Sequence, residues 1–225
     1  FITGATGHIG SELISKINNK YYEINILVRS ESKIKSLLKH NPGIKVFYSL
    51  EEVIENNAIL SEMDIFFHLA TCYGRNNEDP EYVKYVNFDL GKKLLSNVLK
   101  FENKIFFNID TSLPAKANHY SKYKKLFLSD CKKEIQDKSI NFINLILENV
   151  YGPNDMDNKL IPSLISACLN DKKYFNLSKG NQKRDFIYID DVISALKILL
   201  SEVRYDVRRN FLDINIATSK KISIE

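Results

Sequence analysis

Tyr120 and Lys124 are the two residues whose types and spacing could do acid–base chemistry. They lie in the stretch H-Y-S-K-Y-K-K that begins at His119, and the i, i+4 spacing would put both side chains on one face of a helix. A phenol with a pKa near 10 needs a shift of about 3 units, or roughly 4 kcal/mol, to serve as a base near pH 7. An ammonium about 4 Å away supplies about 4 kcal/mol at an effective dielectric constant of about 20. One lysine could therefore lower the pKa of the tyrosine by the amount that proton transfer requires. No other tyrosine in the sequence has a lysine four positions later.

A second group of residues, at the start of the sequence, could bind a phosphate. The stretch F-I-T-G-A-T-G-H-I-G places Gly4, Gly7 and Gly10 between an apolar strand and a helix. Glycines permit a tight turn there and let backbone N–H groups approach a pyrophosphate at the helix N-terminus. The spacing is one residue longer than the G-x-G-x-x-G fingerprint, but its place in the first βαβ unit predicts a dinucleotide site.

Arg29 follows the second candidate strand, at the position that normally selects the dinucleotide. An acidic residue there binds the free ribose 2′-hydroxyl of NAD, whereas an arginine suits the 2′-phosphate of NADP. Arg29, with Lys33 close behind, therefore favours NADP over NAD. An exposed arginine on a loop, without a role in cofactor binding, is the alternative.

The elements that must position these residues alternate along the chain up to about residue 150, with apolar runs between helical segments. This alternation predicts a parallel sheet with crossover helices, and runs that are apolar throughout predict strands covered on both faces. The predicted strands are Phe1–Thr3, Ile24–Val28, Ile44–Phe47, Asp64–His68, Lys104–Ile109 and Phe142–Leu147. The predicted helices are Ile9–Asn19, Lys33–Lys39, Pro80–Lys100 and His119–Gln136. The expected fold class is α/β, with a doubly wound parallel sheet of the Rossmann type.

The pattern changes after Tyr151-Gly152-Pro153, which predicts a smaller C-terminal lobe. Its predicted elements are a helix, Leu160–Leu169, two short strands, Tyr174–Leu177 and Phe186–Ile189, and a second helix, Asp190–Glu202. We therefore divide the chain into a dinucleotide-binding domain, 1–150, and a partial substrate-binding lobe, 151–225, whose elements interleave with the first domain.

The composition argues against several other classes of function. The sequence is 44% hydrophobic and 27% charged, and no apolar run approaches the roughly 18 residues of a membrane helix. The net charge of +4 is spread over single lysines and lysine pairs among acidic residues, so no nucleic-acid track is expected. The 3 cysteines are far apart and the 4 histidines have no ligand spacing, which predicts neither disulfides nor a bound metal and fits a reducing cytoplasm.

Several motifs, in order along nearly the whole chain, resemble those of the extended short-chain dehydrogenases/reductases. They are T-G-A-T-G-H-I-G from Thr3, H-L-A-T from His68, the Tyr120/Lys124 pair, N-V-Y-G-P from Asn149 and R-D-F-I-Y-I-D-D-V from Arg184. More narrowly, they resemble the NAD(P)-dependent epimerases and dehydratases that act on nucleotide sugars. The ending, F-L-D-I-N-I-A-T-S-K-K-I-S-I-E, is similar to the family's late strand and the start of its next helix. The resemblance thus implies a longer natural protein, truncated here at its C-terminus.

The resemblance implies a set of cofactor contacts beyond the glycine turn. His8 and Ile9 would contact the pyrophosphate through their backbone, and Asn87 would brace the site from the long helix. Lys124 would reach the nicotinamide ribose as well as Tyr120. The cofactor would be lined, after the fourth strand, by Leu69, Ala70 and Thr71.

The resemblance also implies a substrate site for a nucleotide-diphosphate sugar. Asn149 and Arg184 would hold the diphosphate, and Leu160 would lie near the nucleotide. A guanidinium fork suits phosphate oxygens, which supports the assignment of Arg184. A local surface ion pair between Arg184 and Asp185 is the alternative.

In the family's mechanism, a tyrosine phenolate takes a sugar hydroxyl proton while hydride passes to C4 of the nicotinamide. A Ser or Thr at the end of the fifth strand usually binds the reacting oxygen. If Asp110 aligns with the family's S-T-D pattern, that position is Ile109, which has no hydroxyl. Thr111 or Ser112 could substitute, and a site without a hydroxyl is the third possibility.

The same stretch distinguishes between reactions of the family. Its dehydratases carry Asp-Glu after the Thr, whereas Asp110 is followed here by Thr111, so a 4,6-dehydratase is disfavoured. A 4-epimerase or an NADPH-consuming 4-ketoreductase remains, and the D-T-S…N-x-Y-S pattern resembles reductases of the CDP-abequose synthase kind. A dinucleotide-binding sensor or scaffold without turnover is the alternative, favoured by Ile109 and opposed by the intact Tyr120/Lys124 pair.

The resemblance further implies a homodimer. Family members commonly pair the helices that correspond to Pro80–Lys100 and His119–Gln136. Leu90, Leu94 and Leu95 are candidates for the shared face, with core packing as the alternative for each.

Overall fold

The computed structural model describes residues 1–17, 21–31, 34–177, 180–202 and 210–224. Lys33, which the sequence places beside Arg29, and the predicted end of the first helix at Asn19 lie outside the described residues.

A parallel sheet forms the centre of the molecule. Among the described residues its strands are β1 (Ile2–Thr3), β2 (Asn25–Leu27), β3 (Lys45–Phe47), β4 (Ile65–His68), β5 (Lys104–Thr111), β6 (Ile140–Leu147) and β9 (Phe211–Ile216). These seven strands lie in the order β3-β2-β1-β4-β5-β6-β9, and every neighbouring pair is parallel. The order reverses between β1 and β4, so the predicted doubly wound sheet is confirmed, with β9 as the late strand.

Aromatic side chains in register stabilise the middle of this sheet. Phe106 of β5 stacks on Phe66 of β4 with ring centroids 6.4 Å apart, and on Phe142 of β6 at 5.4 Å. Phe142 stacks in turn on Phe211 of β9 at 5.8 Å. Every residue of β5 is buried, as a strand covered by helices on both faces requires. Each aromatic pair adds about 0.5–1.5 kcal/mol beyond the area that it buries.

Helices cover both faces of the sheet. One face packs against α1 (His8–Lys16), α2 (Lys35–His40) and α9 (Ile189–Glu202). The other packs against α3 (Leu50–Ile54), α4 (Asn57–Glu62), α6 (Leu90–Val98) and α7 (His119–Glu134). The predicted helix Pro80–Lys100 is α5 (Pro80–Lys84), a π-helical turn (Tyr85–Asp89) and α6 in succession. Such π turns are frequent at functional sites, and this one carries Asn87.

A smaller sheet lies beyond residue 148. It contains β7 (Asn149–Tyr151), β8 (Lys183–Tyr188) and β10 (Lys221–Ser223), in the order β10-β8-β7, and α8 (Leu160–Leu169) precedes β8. α9 and β9 fall within 151–225 but pack on or join the main sheet, so a division at residue 150 stays a prediction. The predicted strand Tyr174–Leu177 is wrong: the segment is irregular, and Tyr174 is 85% exposed with no neighbouring strand among the described residues.

Two further findings concern function. No helix within the described residues is long and apolar enough to cross a membrane. The described residues likewise contain no group of three His, Cys, Asp or Glu side chains positioned to hold a metal ion.

Candidate active site

The glycine turn connects β1 to α1 at the carboxyl edge of the sheet. Gly4 has φ +72°, and a Cβ there would lie 2.6 Å from the Ala70 nitrogen. A Cβ on Gly10 would lie 2.3 Å from the Gly4 carbonyl oxygen, so Gly10 allows α1 to pack on the turn. Gly7 is the N-cap of α1, which has no side-chain cap and no acidic residue in its first turn. Its free N–H groups and positive dipole end suit a phosphate, so these residues fit a dinucleotide.

The loop after β4 lies beside this turn and is braced from two sides. The Thr3 hydroxyl accepts a hydrogen bond from the Ala70 nitrogen at 3.3 Å. The buried Asn87 amide donates to the Cys72 carbonyl at 2.7 Å and accepts from the Cys72 nitrogen at 3.3 Å. Thr71 is half-buried and donates to the Leu69 carbonyl at 3.4 Å. Asn87 therefore braces the loop after β4, while its role at a cofactor site, which the resemblance implies, stays a prediction.

Tyr120 and Lys124 lie on the face of α7 that is turned towards this loop. Asn118 begins α7 with a capping box to Ser121, which fixes the direction in which the first turn points. Tyr120 is 7% exposed and Lys124 is fully buried. The Lys124 ammonium donates to the Ala70 carbonyl at 3.3 Å. The pair therefore lies beside the loop that would hold a dinucleotide.

Thr111 and Ser112 diverge at the end of β5. The buried Thr111 hydroxyl lies near the Tyr120 phenol, whose pKa it lowers, and accepts a hydrogen bond from the Leu113 nitrogen at 3.2 Å. The Ser112 hydroxyl points elsewhere and donates to a carboxylate oxygen of Glu148 at 2.8 Å. Ile109 is buried in the core. The structure thus brings Thr111 to Tyr120, while the catalytic role of this hydroxyl stays a prediction.

Burial dominates the electrostatics of the pair. It raises the pKa of Tyr120, while the nearby Thr111 hydroxyl opposes the rise. Burial also lowers the pKa of Lys124 to about 8, against the attraction of Asp110. The charge of Lys124 favours the phenolate, but the desolvation of both groups outweighs it here, and desolvation depends on packing and not on spacing in the sequence.

Lys125 is a site residue that the sequence argument missed. Its ammonium lies 2.6 Å from a carboxylate oxygen of the buried Asp110 and donates to the Thr111 carbonyl at 2.6 Å. Asn144 also donates to Asp110, at 3.4 Å. These contacts fix the end of β5, and therefore the Thr111 hydroxyl. The available signal was the Lys-Lys doublet, because neighbouring helix residues point in different directions: Lys124 reaches the Ala70 carbonyl and Lys125 reaches the end of β5.

The His8 side chain contacts Asp155, in addition to the pyrophosphate contact that is predicted for the His8 backbone. Its Nδ1 lies 3.3 Å from Asp155, and Lys159 lies 2.7 Å from the same carboxylate oxygen. The cluster joins the head of α1 to the segment between β7 and α8. Ile9, the next predicted contact, is half-buried in the first turn of α1.

Two of the three predicted substrate residues, Asn149 and Arg184, lie on the smaller sheet. The Asn149 amide donates to the Asp185 carbonyl at 3.0 Å, and Leu160 begins α8. Arg184 is half-buried in β8, and no carboxylate within the described residues lies in ion-pair distance of it. The suggested Arg184–Asp185 ion pair is therefore absent from the described residues: Asp185 is buried and accepts hydrogen bonds from Thr218.

Arg29 is exposed just beyond β2 and donates a hydrogen bond to the Tyr82 hydroxyl. Its guanidinium carbon lies 5.8 Å from the centroid of the Tyr82 ring. Arg29 thus lies where the cofactor ribose is predicted to bind, but its guanidinium is already hydrogen-bonded to Tyr82.

Comparison with known proteins places these features in one family. Residues 1–217 match the model of the NAD dependent epimerase/dehydratase family. This chain belongs to that family. The resemblance inferred from the motifs is thus confirmed at the level of the family.

Relatives within the epimerase/dehydratase family include enzymes with different names. CDP-abequose synthase of Salmonella typhimurium is 29% identical over 233 residues, which covers 100% of this chain and 76% of the relative. dTDP-D-glucose 4,6-dehydratase of Dictyostelium discoideum is 26% identical and is matched over 98% of this chain and 60% of its own length. Synthase and dehydratase relatives both occur, so the family alone leaves the reaction open.

Solved structures of epimerase/dehydratase family enzymes share the fold. UDP-glucuronic acid 4-epimerase from Bacillus cereus, in complex with NAD, superposes with a TM-score of 0.82 at 24% identity. It covers 99% of this chain, which in turn covers 78% of that enzyme. UDP-glucose 4-epimerase from Thermotoga maritima has a TM-score of 0.79 at 19% identity, with 99% and 78% covered. The Rossmann fold predicted from the sequence is confirmed.

Proposed function

We propose that this chain is an NAD(P)-dependent oxidoreductase that acts on a nucleotide-diphosphate sugar, as a 4-ketoreductase or a 4-epimerase with hydride transfer at sugar C4. The observation that carries the proposal is the contact between the buried Tyr120 phenol and the Thr111 hydroxyl, with Lys124 one turn further along α7. All three lie beside the glycine turn and the loop after β4. A phenol and a hydroxyl that converge in this way can bind one substrate oxygen and move its proton.

Each residue has a distinct task in this proposal. Tyr120 would take a proton from the sugar hydroxyl, or return one to a ketone, at its phenol oxygen, while Thr111 orients the same substrate oxygen. Lys124 would bind ribose hydroxyls from its position at the Ala70 carbonyl. The glycine turn would hold the pyrophosphate. A bound nicotinamide supplies hydride acceptor and donor chemistry, which the side chains of this site lack.

The surroundings of Asp110 argue against a dehydratase. A dehydratase of this family needs acidic groups at this end of the strand to eliminate water. Here Asp110 is buried and paired with Lys125, and its neighbour is Thr111 rather than Glu. Asp110 therefore has a structural partner and is not free to act on a substrate.

The substrate and the cofactor follow from weaker observations. CDP-abequose synthases match along the whole chain, so CDP-sugars are the first substrates to test. Arg29 favours NADP, although its bond to Tyr82 would have to open for a 2′-phosphate to bind. Asn149, Arg184 and Leu160 would bind the nucleotide-diphosphate portion.

A homodimer remains part of the proposal, but its contact surface differs from the one suggested by the sequence. Leu90, Leu94 and Leu95 are buried within the monomer and cannot form the contact. Leu126 of α7 is 42% exposed and could contribute to it. Light scattering on the full-length protein would measure the mass.

The proposed activity is tested by incubating full-length protein with NADPH or NAD⁺ and CDP-, UDP-, dTDP- and GDP-sugars. Absorbance of the reduced nicotinamide and chromatography of the sugars would report turnover. We expect one sugar class to react and Tyr120→Phe to lower kcat by about 10²–10⁴-fold. Dinucleotide binding without turnover of any sugar would favour the sensor, whose main support, Ile109, is weakened by the contact of Thr111 with Tyr120.

A further inference from the structure

Tyr73, in the loop after β4, packs directly on the proposed catalytic tyrosine. The ring centroids of Tyr73 and Tyr120 are 4.9 Å apart, with the planes inclined at 54°. Aromatic rings in such tilted contact attract each other beyond the area that they bury. The Tyr73 ring therefore covers one side of the Tyr120 ring, next to the oxygen that would move protons.

Two cations from different parts of the chain hold Tyr73. The guanidinium carbon of Arg75 lies 5.2 Å from the Tyr73 ring centroid, and the Lys159 ammonium lies 5.4 Å from it. Both distances are in the range of cation–π attraction. Lys159 is itself fixed by its ion pair with Asp155, at 2.7 Å.

A hydrogen bond also joins the loop after β4, which contains Tyr73 and Arg75, to the segment before α8, which contains Lys159. The Asn158 amide donates to the Asn76 side-chain oxygen at 3.0 Å. Tyr73 thus lies in a junction between the loop after β4, which would line the dinucleotide, and the segment before α8, which would approach the sugar nucleotide. A ring in that junction is held from both sides.

We propose that Tyr73 is a positioning residue of this active site, which fixes the Tyr120 ring against Thr111 and is itself held by the Arg75 and Lys159 cations. The inference rests on the proposed function. Its physical basis is the sensitivity of proton transfer to placement, because an error of about 1 Å in a reacting group costs about 10²-fold in rate.

The charges around Tyr120 make the inference testable by pH. Burial raises the pKa of Tyr120 most; the Asp110 charge also raises it, the Arg75 charge and the Thr111 hydroxyl lower it, and Lys124 lies one turn away on α7. Removal of the Arg75 charge should therefore raise the pKa of Tyr120, whereas Tyr73→Phe changes neither of these charges. In sugar oxidation the phenolate is the active form, so activity is lost as pH falls through this pKa.

The first experiment compares kcat and KM of Tyr73→Ala, Tyr73→Phe and the wild type in full-length protein. We expect Tyr73→Ala to lower kcat about tenfold or more, with the KM for dinucleotide little changed, and Tyr73→Phe to retain kcat within about threefold at the optimal pH. Tyr123→Ala is the matched control, since Tyr123 is a half-buried aromatic residue of the same helix that packs on the cluster of Cys72, Val83 and Val86, and its ring contact within the described residues is with His119 and not with Tyr120. Equal losses in Tyr73→Ala and Tyr123→Ala would overturn the inference.

The second experiment measures the acid limb of the pH–kcat profile for sugar oxidation. Arg75→Gln should move the limb to higher pH, and Tyr73→Phe, which removes no cation, should leave it in place. Equal shifts in the two variants, or no shift in Arg75→Gln, would overturn the inference, because a purely structural loss would affect both variants alike.

A third measurement separates this inference from the proposed function. NMR of protein with ¹³Cζ-labelled tyrosine, with the Tyr120 resonance assigned by Tyr120→Phe, should show that resonance shifted or broadened in Tyr73→Ala and unchanged in Tyr123→Ala. An unchanged resonance in Tyr73→Ala would overturn the inference even if the wild type turns over sugars. A shifted resonance in a protein that reacts with no sugar would support the contact and reject the proposed function.

Discussion

The Lys124 ammonium is fully buried, and burial disfavours its charged form. Its pKa falls from 10.5 in the ordinary state to about 8 in the folded protein. Between these two values the unfolded chain binds more protons than the folded one, so the free energy of unfolding rises with pH over this window. Below about pH 8 both states are protonated, and the full penalty, roughly 3 kcal/mol, applies.

Lys124→Met should therefore stabilise the protein in a pH-dependent way. We expect its free energy of unfolding to exceed that of the wild type by about 1–3 kcal/mol at pH 7, with the difference shrinking towards pH 10. Urea unfolding at a series of pH values would measure it. A difference that stays constant with pH would contradict the expectation.

Lys125→Met should have the opposite effect at the next position of the same helix. The Lys125 ammonium is the counter-charge of the buried Asp110, and its loss would leave that carboxylate unpaired. Because Lys125 is partly exposed, we expect a destabilisation of about 1–3 kcal/mol at pH 7. Urea unfolding would measure this change as well. Equal changes in the free energy of unfolding for Lys124→Met and Lys125→Met would contradict the expected difference between the two lysines.

Gly4 and Gly43 form a matched pair for the glycine turn. A Cβ at Gly4 would clash with the Ala70 backbone and φ is +72°, whereas a Cβ at Gly43 would meet nothing within 4 Å. Gly4→Ala should destabilise the protein by about 2–4 kcal/mol and abolish dinucleotide binding. Gly43→Ala should change the unfolding free energy by less than about 1 kcal/mol, in the stabilising direction. Thermal unfolding and calorimetric titration with NADPH would report both.

At the scale of the elements, the π-helical turn Tyr85–Asp89, which lies between α5 and α6, is hydrogen-bonded to the loop after β4 through Asn87. Without Asn87, the backbone groups of Cys72 and the Val83 carbonyl would lose buried hydrogen bonds. Each lost partner costs about 1–3 kcal/mol. The turn therefore positions the loop that a dinucleotide would contact.

Asn87→Ala should destabilise the protein by about 2–4 kcal/mol and weaken dinucleotide affinity. Asn97→Ala is the control, because the half-buried Asn97 amide donates to the Lys93 carbonyl and accepts from the Lys100 ammonium, and neither partner belongs to the loop after β4. Urea unfolding and fluorescence titration with NADPH would compare them. Equal affinity in the wild type and Asn87→Ala would show that the brace does not act on the site.

At the scale of the whole molecule, one buried carboxylate ties the smaller sheet to the segment that follows β9. Asp185 of β8 accepts hydrogen bonds from the Thr218 nitrogen at 3.1 Å and from its hydroxyl at 2.7 Å. Burial works to raise the pKa of Asp185, but these bonds prevail and hold the pKa below its usual value. Its contribution is present above the usual carboxyl pKa and is lost as pH falls through the lowered value.

Thr218→Val should therefore loosen the smaller sheet before the main one. We expect faster hydrogen exchange in β8 and β10, with β5 and β6 unchanged, because the lost hydroxyl serves only the smaller sheet. Exchange measured by mass spectrometry at pH 7 would test this. Ser201→Ala, whose hydroxyl bonds only within α9, is the control, and uniform acceleration across both sheets would contradict the expectation.

The sequence alone determined the features that depend on short-range pattern. Apolar runs predicted the parallel strands, the glycine spacing predicted the turn at Gly4, and the i, i+4 spacing placed Tyr120 and Lys124 on one face of α7. Only the tertiary structure placed Thr111 rather than Ser112 near Tyr120, paired Lys125 with Asp110, and brought Tyr73 onto Tyr120. These outcomes depend on contacts between segments far apart in the chain and on burial. Desolvation decided even the direction of the Tyr120 pKa, because it is a property of the packed surroundings and not of neighbouring residues in sequence.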